Sequence, residues 1–304
     1  MYYYRIFGLN VCSDLEITEA KEIDKTDNID LNIHYEEMKS EYIQETEAEL
    51  KKDFGCIFGY GKTETFIRYV HQGAFFIRNG NEITYNIKPD ASMNYVKQII
   101  LCFTMSAALA QRQIPVMHGS GVVINDKAYV ISGDSGAGKS TLTAELLNNG
   151  AGFMSDDMVA LDITSEQIKA IPSFPLRKLC PDAVEQFGYK KEDIIYLPDA
   201  GKEKYAIRIP DEEYTDTKKV LGGIVVVSVG DCDEPVLTEV KGIMKLKVLT
   251  DNIYRSDAYA DMGYDRELLN SCMAIIQSVP IYRLVRPRDK MTVKEQVEVL
   301  FKNL

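Results

Sequence analysis

The nine residues Gly133-Asp134-Ser135-Gly136-Ala137-Gly138-Lys139-Ser140-Thr141 constrain this chain more than any other stretch. They fit G-x-x-x-x-G-K-[ST], a loop whose backbone N–H groups surround phosphate oxygens. Ala128-Tyr129-Val130-Ile131 before it is β-branched and aromatic, as a buried strand is. Thr141 to Leu147 after it reads as a helix, closed by Asn148-Asn149-Gly150. Strand, glycine loop and helix together place a phosphate at a helix N-terminus, where the dipole favours negative charge. In this pattern Lys139 reaches the β- and γ-phosphates and the Ser140 hydroxyl is a ligand for Mg²⁺. The whole loop, from Gly133, Asp134, Ser135, Gly136 and Ala137 through Gly138, Lys139, Ser140 and Thr141, is therefore a nucleotide-binding candidate.

Around this loop the chain divides in two. Residues 1–90 read as β-rich, with strands at Tyr2 to Leu9, Ile29 to His34, Cys56 to Tyr60, Thr65 to Val70, Ala74 to Arg78 and Glu82 to Ile87. Asn79-Gly80 marks a hairpin between the last two. The charged stretch from Glu36 to Lys52 is a loop or a short exposed helix. Residues 91–304 form the second part, opening with a linking helix over 91–113 that Pro115 terminates. Val122-Val123-Ile124, Asn125-Asp126 and Ala128 to Ile131 predict an antiparallel hairpin feeding the phosphate loop. Gly152 to Ser155 is a strand ending at Asp156-Asp157, and the helix between makes a βαβ crossover that sets it beside the loop strand. Further on, Met158 to Thr164 with Ile168 to Ile171 predicts a hairpin, Leu176 to Phe187 a short helix and Leu221 to Ser228 a buried strand. Helices are expected over Lys241 to Tyr254, Arg266 to Gln277 and Thr292 to Lys302, with a final strand at Ile281 to Val285.

Composition excludes several classes. The 304 residues carry a formal charge of −11, the wrong sign for a nucleic-acid surface. Six scattered cysteines without a C-x-x-C pair, and only three histidines, leave no zinc spacing. Free thiols and an N-terminus unlike a signal peptide lead us to expect a reducing cytoplasm. The most apolar run, Ile99 to Ala110, is shorter than a membrane span.

Asp156 and Asp157 are the second constellation. Phosphoryl transfer needs metal held against the phosphates and a group to take the acceptor's proton, and one carboxylate can serve each need. Adjacent acids on one strand face opposite sides, so one of them enters the site directly. His118 is the histidine nearest the loop in sequence, suited to orient a phosphate or hydroxyl or to be purely structural. His34 and His71 read as ordinary strand residues. Arg177, Lys178, Arg208 and Arg255 are candidate phosphate clamps, with Arg255 in Tyr254-Arg255 foremost.

From His118 to Asp157 the chain resembles the catalytic domain of the bacterial HPr serine kinase/phosphorylase family. The matching residues are His118-Gly119-Ser120-Gly121, the hairpin, Gly133 to Ser140, and Gly152-Phe153-Met154-Ser155-Asp156-Asp157, with a step of 17 residues from Lys139 to Asp156. The resemblance implies an α/β, PEP-carboxykinase-like P-loop kinase fold behind the β-rich N-terminal region, with ATP and Mg²⁺ as cofactors. It implies Asp156 as general base and acid, and Asp157 with Ser140 at the metal. The Leu-Glu-x-Arg-Gly signature tied to the phosphorylase reaction has no counterpart. The flanking segments Tyr4 to Leu9, Pro172 to Leu179, Leu221 to Ile224 and Tyr254-Arg255 are instead similar to stand-alone HPr-kinase-like proteins of lasso-peptide and related peptide-modification pathways. That implies a serine-bearing peptide or small protein as acceptor, with neither nucleic acid nor membrane as partner; a homo-oligomer is compatible. Two alternatives remain open at this point: a bifunctional HPr(Ser) kinase/phosphorylase, and a non-catalytic nucleotide-binding partner protein.

Overall fold

The computed structural model describes residues 1–46, 55–179, 181–186, 188–190, 194–199 and 202–304. Part of the stretch from Glu36 to Lys52, together with Cys180 and Phe187, lies outside them. The chain is mixed α/β and rich in strands, and its contacts divide it into two units.

The first unit comprises Met1–Gln113, Lys178–Arg208 and Asp257–Asp265. Its main sheet holds β1 (Tyr2–Ile6), β2 (Leu9–Ser13), β3 (Lys21–Glu22), β4 (Leu31–Tyr35), β5 (Cys56–Gly59), β6 (Glu64–Tyr69), β7 (Gly73–Arg78) and β8 (Glu82–Ile87), in the order β3-β1-β2-β4-β8-β7-β6-β5. A short helix α1 (Ser40–Ile43) sits within the charged stretch. Asn79 and Gly80 both take positive φ, 52° and 66°, at the centre of a turn closed by the Asn81 N–H on the Arg78 carbonyl at 3.1 Å, and with Asn81 they make a three-residue link from Arg78 to Glu82. The apolar segment after β8 forms helix α2 (Met93–Gln111), widened to a π-helix over Ile99–Thr104. By length and composition α2 is long and apolar enough to cross a membrane, which the apolar run alone is not; 78% of it is buried within the protein. Contacts group it with the N-terminal strands rather than with the phosphate loop. Gln111 shows how closely: its side chain accepts from the Gly80 N–H at 2.7 Å and donates to the carbonyls of Gly61 and Ile77 at 3.0 and 3.1 Å. A buried amide so satisfied costs little and fixes register.

The second unit comprises Ile114–Arg177, Ile209–Ser256 and Arg266–Leu304. It begins with β9 (Val116–His118), β10 (Ser120–Ile124), β11 (Lys127–Gly133), helix α3 (Lys139–Asn148), β12 (Gly152–Ser155), β13 (Met158–Asp162) and β14 (Lys169–Ile171). The expected hairpin is present: Ser120 to Ile124 pair antiparallel with Ile131 to Lys127. Its turn residues Asn125 and Asp126 have φ of 50° and 62°, which short polar side chains tolerate. Leu176–Leu179 is a strand, β15, and not the start of a helix. Helix α4 (Pro181–Gln186) begins only at its proline, whose fixed φ suits a first turn. Lys178 and Leu179 of β15 belong to the first unit, as do β16 (Ile194–Asp199) and β17 (Lys202–Arg208), and the three strands make a small sheet of order β15-β17-β16.

The chain then supplies β18 (Lys219–Gly230), β19 (Val236–Glu239), α5 (Met244–Thr250), α6 (Ser256–Asp261), α7 (Asp265–Ser278), β20 (Ile281–Pro287) and α8 (Val293–Asn303). Residues Ile224 to Val227 of β18 pair parallel with β11 on one edge and with β20 on the other. The second unit's sheet thus runs β12-β10-β11-β18, and from β18 continues both to β20-β19 and to β14-β13-β9. Leu142 and Leu146 of α3, with Val297 and Leu300 of α8, pack on Val122, Ile131, Val225, Val227 and Leu284. Each fully buried aliphatic side chain contributes ~1.5–3 kcal/mol, so this layer anchors the helix that carries the phosphate loop.

The placement of β12 corrects one expectation. β12 is not beside the loop strand: β10 lies between, antiparallel to both. The crossover length set only the parallel sense of β11 and β12, and the hairpin preceding β11 fills the intervening place.

Candidate phosphate site and paired carboxylates

Strand β11 ends at Gly133, where φ is 137° and an added Cβ would meet the Val227 carbonyl oxygen at 2.3 Å. Only glycine fits so close an approach of two parallel strands. Gly136 and Gly138 also take positive φ, 81° and 100°, on either side of the buried Ala137. Alternating left- and right-handed residues curl backbone N–H groups into an anion-sized concavity, and here that concavity opens on the N-terminus of α3. The first helical bond runs from Leu142 N–H to the Gly138 carbonyl at 2.9 Å. Lys139 Nζ arches back over the loop and donates to the carbonyls of Gly133 and Asp134, at 2.5 and 3.0 Å. Ser140 and Thr141 stand half-buried in the first turn. The loop's curvature and its lysine fit a bound polyphosphate.

A second cation holds the loop from outside. Arg286, near the end of β20, donates from Nε to the Ala137 carbonyl at 2.8 Å and from one terminal nitrogen to that of Gly136 at 3.4 Å. Gly133, Val227 and Leu284 share one register level across β11, β18 and β20. Arg286 therefore stands two residues beyond the end of the loop strand, level with the loop itself. Sequence reading did not single it out. The signal available was a cation at the carboxyl end of a core strand, where open α/β sheets place ligands.

On the opposite flank lie the acids. Strand β12 stops at Ser155, so Asp156 and Asp157 occupy a tight turn and the alternation expected of two strand residues does not apply. Asp157 has φ of 60°, and the Met158 N–H returns to the Asp156 carbonyl at 2.7 Å. The Ser120 hydroxyl, almost wholly buried, donates to Asp156 Oδ1 at 2.9 Å. The Gly119 N–H donates to the Asp157 carbonyl at 3.1 Å. A Cβ on Gly119 would meet the Ile131 carbonyl oxygen at 2.5 Å. Gly119 thus wedges between the end of the loop strand and the acid turn. Ser140 and the two carboxylates are hard oxygen donors, the kind that hold Mg²⁺ together with phosphate oxygens. Among the described residues no three His, Cys, Asp or Glu side chains cluster as a metal site, so any cation here would need phosphate oxygens to complete its shell.

His118 closes β9, half-buried. Its N–H donates to the Asn252 carbonyl at 2.8 Å, and its ring lies 5.8 Å from that of Tyr254 at 32°. Asn252 is fixed in turn: its side-chain oxygen receives the buried Ser132 hydroxyl at 2.6 Å, and its amide nitrogen donates to the Val248 carbonyl at 2.7 Å. The Tyr254 N–H bonds the Val116 carbonyl at 2.8 Å, and Arg255 after it has φ of 51°. Arg177 is 3% exposed in the same unit. Lys178 and Arg208 belong to the first unit, where Lys178 Nζ lies 3.3 Å from Cys102 Sγ and Arg208 donates to the Thr18 carbonyl at 2.9 Å. His34 is half-exposed near Glu82, at 3.9 Å. Among the described residues Cys12, Cys232 and Cys272 are free thiols.

No protein-family profile matches the chain, and no curated protein matches it. Among solved structures it is similar to the Hpr(Ser) kinase/phosphatase from Coxiella burnetii, at 14% identity and a TM-score of 0.31, over 61% of this chain and 93% of that one.

Proposed function

We propose that this protein is an ATP- and Mg²⁺-dependent kinase that transfers the γ-phosphoryl group to a serine hydroxyl of a peptide or small protein, with a lasso-type precursor peptide as its acceptor. The observation that carries the reading is the arrangement at Gly119 and Ser120. These two residues tie the Asp156-Asp157 turn to the end of the phosphate-loop strand, through a 2.9 Å bond to a carboxylate, a 3.1 Å bond to a carbonyl and a glycine contact. The local resemblance to HPr serine kinases adds the reaction type, and that to the stand-alone peptide-pathway proteins adds the acceptor.

In this reading the loop and Lys139 hold the polyphosphate, and Ser140 with Asp157 holds Mg²⁺, which when bound neutralises charge on the β- and γ-phosphates. Ser120 holds the Asp156 carboxylate in place through its bond to Oδ1. Asp156 takes the proton of the serine hydroxyl as the bond from its oxygen to the γ-phosphorus forms. The bond from that phosphorus to the β–γ bridging oxygen breaks, and ADP leaves. His118 and Arg255 flank the acceptor side. The acidic chain, at −11, suits a neutral or basic peptide better than a polyanion. We place the reaction in the cytoplasm, where ATP and the free thiols are both at home.

The test uses labelled ATP with a panel of acceptors: serine-bearing peptides, an HPr-like protein and free metabolites. Label is expected on a peptide or protein serine. Asp156→Asn, nearly isosteric, is expected to lower transfer by ~10²–10⁴-fold while ATP still binds. Label confined to metabolites, or full transfer by Asp156→Asn, would overturn the proposal.

A further inference from the structure

The small sheet β15-β17-β16 carries an open cleft of about 530 Å³. We propose that it docks an extended basic peptide, with an arginine or lysine side chain among its tyrosines. This does not depend on the kinase reading: the cleft belongs to the first unit and the phosphate loop to the second.

Strand register builds the cleft. Across β16 and β17, Ile194 stands opposite Ile207 and Tyr196 opposite Tyr205. Residues two apart share a face of a strand, so these four side chains lie on one side of the hairpin. At the isoleucine end Ile207 is buried against Leu179, with Val184 of α4, Tyr189 and Ile194 packed around them. Beyond that cluster the tyrosine pair is open: Tyr196 is 50% exposed, and its ring lies 5.8 Å from that of Tyr205 at 63°. Ile194, Tyr196 and Tyr205 line the cleft from the hairpin. Pro181, Val184 and Glu185 line it from α4, and Tyr189 from the turn after it.

Chemistry gives the class of ligand. Among the described lining residues three are tyrosines, one is an acid and none is a base. The face of a tyrosine ring attracts an ammonium or guanidinium held within about 6 Å of its centre. Glu185, exposed on α4, adds a negative charge to the same lining. An anion would meet that carboxylate with no lining cation to offset it. Pro181, Val184 and Ile194 call for apolar surface in return. A small free cation lacks such surface, and the residues beside an arginine in a peptide supply it. The volume lies within the range of ligand clefts and exceeds what one guanidinium fills. Tyrosine suits peptide docking further, giving a large contact area for the ordering of two torsions. The chain's charge of −11 draws a basic partner from a distance.

The test titrates three probes into the full chain: a fluorescent peptide of alternating arginine and leucine, a matched peptide of alternating glutamate and leucine, and free arginine as competitor. Salt is held at about 0.15 M, which screens distant charges. The basic peptide is expected to bind and the acidic one not. Tyr196→Ala and Glu185→Gln should each weaken the basic peptide by roughly threefold or more. Glu239→Gln, the same loss of charge on the exposed part of β19, should leave its affinity at the parent's value. A photoreactive form of the basic peptide, which needs no variant to fold, is expected to mark the segment 181–205 of the parent. No binding of the basic peptide, equal binding of both peptides, or variants at 185, 196 and 239 that all behave alike with the label elsewhere would overturn the site. Displacement by free arginine at the peptide's own concentration would make the ligand a free cation. A concentration-dependent dimer in sedimentation, abolished by Tyr196→Ala, would make the occupant a second copy. Either result overturns the peptide.

Discussion

Replacing Gly119 by alanine tests whether the phosphate loop and the acid turn act as one site. The new Cβ would lie 2.5 Å from the Ile131 carbonyl oxygen and 3.1 Å from its carbon. Ordinary contact begins near 3.4 Å, so the two backbones must part by about 1 Å. Neither can swing away as a side chain would, since Ile131 is paired to β10 and β18 and the Gly119 N–H holds Asp157. Overpacking of this kind costs about 1–3 kcal/mol. For a unit of this size that lowers the unfolding midpoint by roughly 2–4 °C per kcal/mol. The loop itself is untouched, so ATP affinity should stay within about twofold. The acids move by about 1 Å relative to the loop, and a misplacement of that size costs about 10²-fold in rate. Thermal unfolding, ATP titration and a transfer assay on the same preparation separate these effects. Parental turnover together with a lowered midpoint would mean that the acid turn does not act with the loop. An unchanged midpoint would mean that the close approach at Gly119 is not as described.

Two further outcomes follow from single side chains. Lys139→Ala removes the ammonium that lies on the Gly133 and Asp134 carbonyls; ATP and tripolyphosphate should both lose affinity, each by ~10-fold or more, in titration. Asp162 accepts from Lys218 at 2.8 Å and from the Thr164 hydroxyl and N–H, and these bonds hold its carboxyl well below the usual value of 3.8. Its unfolded form therefore binds the proton first, so the stability it gives is complete above pH 3.8 and is lost as pH falls below it. Asp162→Asn should flatten that acid limb in urea unfolding curves taken across pH 2–5, and an unchanged slope would refute the assignment.

Much of what is local was legible in the residues themselves. Asn79-Gly80 and Asn125-Asp126 specify tight turns because their backbones accept positive φ, and the hairpins are there, with three and two linking residues. The glycine spacing of the loop is a statement about φ, and Gly133, Gly136 and Gly138 adopt the values it requires. The unbroken apolar run from Leu221 predicts a buried strand, and β18 buries Ile224, Val225 and Val227 at the centre of the sheet. The strand at Leu176–Leu179 was missed because residues four apart in a mixed sequence carry no clear period.

What the sequence alone determined about this protein is where chain conformation changes and which segments are buried. Periodicity records which face of a segment leaves water, but not which partner receives it. Only the tertiary structure decided that β10 separates β12 from β11, so that Ser120 rather than a loop residue holds Asp156. Only it brought Arg286 to the Ala137 carbonyl across 149 residues of chain. Both are consequences of sheet order. That order is chosen by the total packing of α3 and α8 on the central strands, a sum over many weak contacts that no short motif encodes.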